Sequence, residues 1–193
     1  MKNLGKWRVV PPVSGPIAGV FRAMKTLREA DEGEGGHAPR VVVREWGPSS
    51  GSGKDGLGAI AAVIDISHET PVYDPRGLER GGIVYRKFPT VSKLPPTRDE
   101  VREFLGLVDG LREEFGVSPD AELGSHPLIA VHCHYGYNRT GFFLVCHLVE
   151  RLGWRLKDAI EEFKMKRPPG IRHSHFIDEL WGRYWMKDGA RRE

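Results

Sequence analysis

Cysteine is scarce in this chain. Only two occur among 193 residues, so at most one disulfide is available and no cross-linked framework can hold the fold together. Long apolar runs are missing too, and nowhere do about 18 apolar residues follow one another, the length a membrane-crossing helix needs. The opening residues, Met1-Lys2-Asn3-Leu4-Gly5-Lys6-Trp7, lack the apolar centre of a secretory leader. A soluble protein with no membrane partner is therefore expected. Charge of one sign is not in excess either, the formal net charge being +3, which permits a nucleic-acid partner without demanding one. There is no internal repeat. What is present is a length suited to one domain with a sizeable core.

The rest is organised around ten residues, His132-Cys133-His134-Tyr135-Gly136-Tyr137-Asn138-Arg139-Thr140-Gly141. The apolar run Pro127-Leu128-Ile129-Ala130-Val131 before them reads as a buried strand. The segment from Arg139 to Leu152 is apolar on nearly every side, as in a helix packed all round by protein. A strand, a tight loop and a helix N-terminus aim backbone N–H groups at one point, where an anion would sit. The N–H groups of His134, Tyr135, Gly136, Tyr137, Asn138 and Arg139 form that expected phosphate cradle. A helix N-terminus next to a cation brings a thiol pKa from about 8.5 to roughly 3.5–7.5, so Cys133 is expected to be a nucleophilic thiolate. Arg139 can hold two phosphoryl oxygens in its fork. Thr140 places a hydroxyl near the sulfur, Gly136 permits a positive φ, and His132 and Gly141 support the loop. The bland alternative, that Cys133 is only a small buried residue, does not account for the whole block.

His132-Cys133-x5-Arg139-Thr140-Gly141 resembles the signature of cysteine-dependent phosphatases, the protein-tyrosine and dual-specificity superfamily. That resemblance implies a single-domain α/β fold with a central, mainly parallel sheet flanked by helices. The coarse reading of the chain agrees, because strands alternate with helices. The strands are expected at 59–66 and 82–88, with a further one at 40–46. Thr97-Arg98-Asp99-Glu100 is a capping box, and Val101, Phe104, Leu105, Val108, Leu111 and Phe115 mark one face of the helix it opens, which Gly116 ends. Leu156, Ala159, Ile160 and Phe163 mark another helix, stopped by Pro168-Pro169-Gly170. Ser174 begins a last one to about Lys187. Residues 7–28 form an N-terminal arm, 29–56 a flexible insertion, and 57–187 the catalytic core of one domain spanning 1–193.

Two decoys lie in the insertion. Gly47 to Gly56 invites comparison with a nucleotide P-loop, but Pro48 stands where glycine is needed and Asp55 where Ser or Thr is needed. Lys54-Asp55-Gly56 lacks the spacer of the Lys-x-Asp-Gly nucleotidyltransferase motif. The second cysteine, Cys146, lies about 10 Å along the helix from the loop, too far to bridge to Cys133, so it reads as core packing. A reactive thiol suits a reducing compartment, nucleus or cytoplasm. No cofactor is implied, and no metal, since His132, His134, His173 and His175 have no zinc-like spacing.

What leaves is the open question. Tyrosine has a pKa near 10, and serine and threonine alkoxides are worse leaving groups, so a protein phosphatase needs an acid to protonate the departing oxygen. In dual-specificity enzymes an aspartate supplies it from the loop before the long helix. Here that loop, Pro89-Thr90-Val91-Ser92-Lys93-Leu94-Pro95-Pro96, holds no carboxylate and no histidine. A diphosphate leaves with a pKa of about 6–7 and needs little acid assistance, so the gap favours anhydride substrates. Under the alternative, another residue such as Asp74 or a neighbouring His is the acid.

A closer resemblance appears in the same residues. His-Cys-x-x-Gly-x-Asn-Arg-Thr-Gly is similar to the RNA 5′-triphosphatase domain of animal-type mRNA capping enzymes. So are Trp7 through Lys25, Asp65, Tyr73-Asp74-Pro75-Arg76, Gly82-Ile83-x-Tyr85 and Arg167-Pro168-Pro169-Gly170-Ile171. The resemblance implies a metal-independent enzyme that removes the γ-phosphate of RNA 5′ ends through a Cys133-phosphate intermediate. The family usually has Thr-His where this chain has His134-Tyr135. Lys93, Arg167 and Arg172 are candidates for a substrate rim, the last two in a basic cluster with Lys164, Lys166, His173 and His175. Three readings stand: an RNA 5′-phosphatase, a phosphoprotein phosphatase, and a phosphate-binding module without turnover.

Overall fold

The computed structural model describes residues 3–33 and 36–189, with side chains through Met186. Met1 and Lys2 of the supposed non-leader, and Glu34 and Gly35 of the insertion, lie outside them.

Four short strands build the sheet: β1 (Phe21–Met24), β2 (Ile60–Asp65), β3 (Val84–Lys87) and β4 (Leu128–His132), in the order β1-β4-β2-β3. Every pairing is parallel. Such a sheet is covered on both faces, and β1, β2 and β4 accordingly are buried at every position. The mostly apolar β4 and β2 are the central strands, whereas β3 is half-exposed at one edge. The other edge, β1, is covered by the arm, which bridges back antiparallel through Val13–Met24 and Ile17–Phe21. That removes an unpaired row of donors and acceptors.

The helices are α1 (Leu4–Val9), α2 (Pro39–Trp46), α3 (Arg76–Glu79), α4 (Arg98–Phe115), α5 (Asn138–Glu150), α6 (Leu156–Lys166) and α7 (Ser174–Gly189). Both halves of the Thr97–Glu100 capping box form, and Gly116 ends α4 in the left-handed conformation. The α5 helix is buried from Arg139 through Val149, as its all-round apolar composition requires. It packs between the sheet and α6–α7. Gly141 makes the α6 approach feasible, because a Cβ there would meet Phe163 at 2.5 Å and Ile171 at 2.6 Å. Gly141 also donates its N–H to the carbonyl of Tyr137 in the loop at 2.8 Å. Phe88, Phe104 and Phe143 join α4 to α5, the last two with ring centroids 4.5 Å apart.

The expected strand at 40–46 is instead the helix α2. Its run of three valines suggested β structure, but Pro39 occupies the first helical turn. Val42, Val43 and Trp46, at i, i+1 and i+4, join a second apolar cluster with Leu78 and Ile83. Burial at helical spacing outweighs the β-branched preference. The arm likewise opens with a helix, α1, whose Trp7 is buried and donates its indole N–H to the Thr26 carbonyl at 3.0 Å. Within 29–56, the Asp55 carboxylate pairs bidentately with Arg22, at 2.7 and 2.8 Å. Ser52 donates to the Gly124 carbonyl, so both residues tie this segment to the rest of the fold. Both cysteines are free and buried, and burial pushes the Cys146 thiol up to about 12. Among the described residues no helix is long and apolar enough to cross a membrane.

Candidate active site

Sheet register places the site. Met24, His132, Asp65 and Lys87 pair across the four strands as one row at their C-terminal ends. The next residue of β4 is Cys133. In an open parallel sheet the crevice beyond the strand C-termini is where ligands bind.

Three other parts of the chain shape the loop from Cys133 to α5. The backbone N–H of Thr26 holds the His134 carbonyl at 2.9 Å, and the Arg167 guanidinium holds the Tyr135 carbonyl at 2.8 Å. A peptide's N–H and C=O point opposite ways, so anchoring these carbonyls outwards turns the Tyr135 and Gly136 N–H groups inwards. The Gly136 N–H accordingly favours the Cys133 thiolate. At Gly136 φ is 75°, and a Cβ would fall 2.0 Å from the Met24 carbonyl oxygen. No other residue fits. The Asn138 side-chain oxygen accepts from the backbone N–H groups of Arg172 and His173, at 2.7 and 2.9 Å, tying the loop to the segment that precedes α7.

Cys133 is 5% exposed at the floor of this loop. Burial alone raises a thiol pKa. Arg139, the Thr140 hydroxyl at 3.4 Å, and the Thr140 and Gly136 N–H groups outweigh it, so the thiol titrates below its usual range. Arg139 is itself buried and held by the Thr90 carbonyl at 3.0 Å, which fixes its reach towards the sulfur. Its fork is thus preorganised for a phosphoryl group.

Behind the loop lies a buried polar chain. His132 Nδ1 is 2.9 Å from the Cys133 carbonyl and Nε2 is 2.7 Å from the Tyr73 hydroxyl. The carbonyl can only accept, so Nδ1 carries the proton and Tyr73 donates to Nε2. Burial keeps this imidazole below its usual pKa, against the pull of Asp65. Asp65 in turn accepts from Tyr85 at 2.9 Å and Lys87 at 3.0 Å. His132 is therefore a neutral brace. Asp65, Tyr73, Tyr85 and Lys87 were not singled out as site residues from the sequence. The signal that was available is that Asp65 and Lys87 are polar residues ending two strands.

The cleft above Cys133 encloses about 130 Å³ and is lined by Ser92, Lys93, Cys133, His134, Tyr135, Tyr137, Asn138, Arg139, His173 and Phe176. That is below the ~300 Å³ of a pocket that engulfs a whole small molecule. It suits a terminal phosphoryl group, with the rest of the substrate outside. Among the described residues, no carboxylate lines it.

The expected acid and part of the expected rim are not where the sequence put them. Asp74 does not line the cleft. It is clamped by Arg76 through both carboxylate oxygens at 3.0 Å, and that pairing holds its pKa below the usual carboxylate range. That pairing favours its charged, proton-free form. Arg167 is 1% exposed, its charge spent on the Tyr135 and Pro11 carbonyls beneath the loop. Lys93 does line the cleft. Arg172 lies beside it, its guanidinium 5.1 Å from the Tyr137 ring centroid. His173, named only as part of a basic cluster, is in the wall.

Known proteins resemble this one in sequence and in fold. The family described as "Dual specificity phosphatase, catalytic domain" matches residues 120–184. An mRNA-capping enzyme of Danio rerio is 31% identical over 184 residues, which is 93% of this chain and 28% of that protein. The chain thus spans less than a third of that relative's length. A tyrosine-protein phosphatase of Autographa californica nuclear polyhedrosis virus is 30% identical, over 63% of this chain and 67% of its own length. Among solved structures, Tk-PTP in its active form superposes with a TM-score of 0.62 at 18% identity, covering 89% of this chain and 95% of that one. With a thiol held low at the strand ends, a buried arginine beside it and relatives of this kind, the chain belongs to the cysteine-dependent protein-tyrosine and dual-specificity phosphatases.

Proposed function

We propose that this phosphatase removes the terminal phosphate from 5′-triphosphate ends of RNA. One observation carries the reading: among the described residues, the cleft around Cys133 is lined by cations, imidazoles and aromatic rings and by no carboxylate. A cleft with no carboxylic acid among its described lining residues suits a leaving group that departs as a stable anion. A diphosphate end, with a pKa of about 6–7, is one. The mRNA-capping enzymes among the relatives support the same substrate class.

In this mechanism the Cys133 thiolate attacks the γ-phosphorus while the loop N–H groups and Arg139 hold its oxygens. The S–P bond forms as the P–O bond to the β-phosphate breaks, and that electron pair leaves on the diphosphate end. Water then attacks the phosphocysteine, releasing inorganic phosphate. Thr140, 3.4 Å from the sulfur, stabilises the thiolate as it leaves. The chain works as one cysteine-phosphatase domain, in a compartment reducing enough to keep the thiol.

A second reading, hydrolysis of phosphoproteins, has the viral tyrosine-protein phosphatases in its favour. The test gives purified protein triphosphate-ended RNA, a free nucleoside triphosphate and a phosphotyrosine peptide, all in chelator. Release of γ-phosphate from RNA, with the peptide slow, is expected. Rapid peptide hydrolysis with intact RNA ends would reverse the order of the two readings. Cys133→Ser should abolish turnover and retain phosphate binding, and an active Cys133→Ser enzyme would refute the covalent mechanism.

A further inference from the structure

Lys93 is held in a costly backbone conformation at the mouth of the cleft. Its φ is 68°, in the left-handed region that non-glycine residues rarely adopt. Strain of this kind persists where surrounding structure enforces it, and it clusters at ligand clamps. Here the enforcing contact is visible. His175 lies 2.9 Å, through Nε2, from the Lys93 carbonyl. The carbonyl only accepts, so Nε2 is the donor. The His175 ring stacks on His173, with centroids 5.4 Å apart and planes 18° from parallel. His173 is in the cleft wall with Lys93, and its backbone is tied to the loop through Asn138. A chain of contacts thus runs from Asn138 through His173 and His175 to Lys93. The Lys93 ammonium has no hydrogen-bond or ion-pair partner among the described residues. The backbone of this cleft-lining lysine is held, and no protein anion among the described residues neutralises its exposed side chain.

Arg139 already serves the phosphoryl group that Cys133 attacks, so a second cation at the mouth faces what departs. When the bond to the γ-phosphorus breaks, negative charge accumulates on the β-phosphate oxygen. A proton donor would neutralise that charge for a phosphoester, but no carboxylate lines the cleft among the described residues. An ammonium neutralises it without transferring a proton, which is sufficient for a diphosphate and insufficient for an alkoxide.

We propose that Lys93, positioned by His175, binds the β-phosphate of the substrate and selects phosphoanhydrides over phosphoesters. The assignment rests on the triphosphatase reading and sharpens it by naming the leaving-group contact. No bond to Lys93 forms or breaks.

The test compares kcat/KM for a triphosphate-ended oligonucleotide with that for an activated aryl phosphate, which has no β-phosphate. In Lys93→Ala the ratio of the two should fall about 10- to 100-fold, the range of one hydrogen bond to a charged group. Lys93→Arg should recover part of it. His175→Ala should lower the same ratio, and His175→Gln, which keeps an N–H donor on a side chain of similar reach, should restore it. A ratio unchanged in Lys93→Ala, or restored no better by Gln than by Ala at 175, overturns the assignment. If the wild-type protein leaves triphosphate ends intact, the functional reading itself fails and this assignment with it. If the wild type cleaves them and Lys93→Ala cleaves them equally well, only the assignment fails.

Discussion

Tyr73 donates its hydroxyl to Nε2 of His132 over 2.7 Å, although 59 residues separate the two in sequence. Through the other ring nitrogen, that imidazole holds the carbonyl of Cys133. The orientation of the reactive cysteine is thus set from a loop that never enters the cleft.

Replacing Tyr73 by Phe removes the donor and leaves a buried acceptor unpaired. The expected cost is about 1–3 kcal/mol of stability, read from denaturant unfolding. Activity should fall in kcat more than in KM, since the loop N–H groups that bind phosphate stay in place. A variant as stable and as active as wild type would show that the His132 brace is idle.

Asp74→Asn should retain activity within about twofold, whereas loss of a true general acid costs about 10²–10⁴-fold. The pH profile of kcat/KM makes the same point. The rate should rise as Cys133 ionises, at a pH below the usual thiol range because Arg139, Thr140 and Gly136 outweigh burial. No descending limb from a carboxylic acid should follow. A large loss on Asp74→Asn would restore this residue as the acid.

His147 is fully buried in α5, edge-on to Phe21, and neither ring nitrogen has a hydrogen-bond partner among the described residues. Burial, with Arg112 and Arg151 nearby and only Asp109 opposing, lowers its pKa to about 3. Between that value and the ordinary 6.5 the unfolded chain binds a proton that the folded chain refuses. The stability tied to this group is therefore complete above pH 6.5 and declines as pH falls towards 3. From pH 7.5 to 5 the decline amounts to about 2 kcal/mol. His147→Leu should remove that part of the acid sensitivity, and unfolding curves at the two pH values measure it. An unchanged difference would show that other groups, such as the equally depressed His37, govern it.

Asp55→Ala tests whether the 29–56 segment is structurally coupled to the sheet. Arg22 is fully buried and its partner Asp55 is 30% exposed. Removing the carboxylate leaves a buried guanidinium that, among the described residues, keeps the Ser14 and Gly58 carbonyls and the Trp46 ring. A loss of about 3 kcal/mol is expected, seen as a lower Tm. A neutral substitution would mean that solvent serves Arg22 as well as Asp55 does.

The sequence by itself determined the elements whose signals are local. The capping box at Thr97, the face Val101-Phe104-Leu105-Val108-Leu111 and the glycine stop at 116 each depend on neighbours within a few residues. So do the buried strands and the block from Cys133 to Thr140, where nucleophile, cradle and arginine are contiguous. Only the tertiary structure decided what stands around that block. Thr26, Thr90 and Arg167 meet the loop because sheet register and helix packing carry them there, and no local periodicity records such contacts. That is why Arg167, one of several cations in its stretch, read as a rim residue and is in fact a buried brace. It is also why the valines of α2 read as a strand, since burial against Leu78 and Ile83 was invisible before the chain folded. Asp74 is the same case in reverse, a carboxylate of the right type that Arg76 holds outside the cleft.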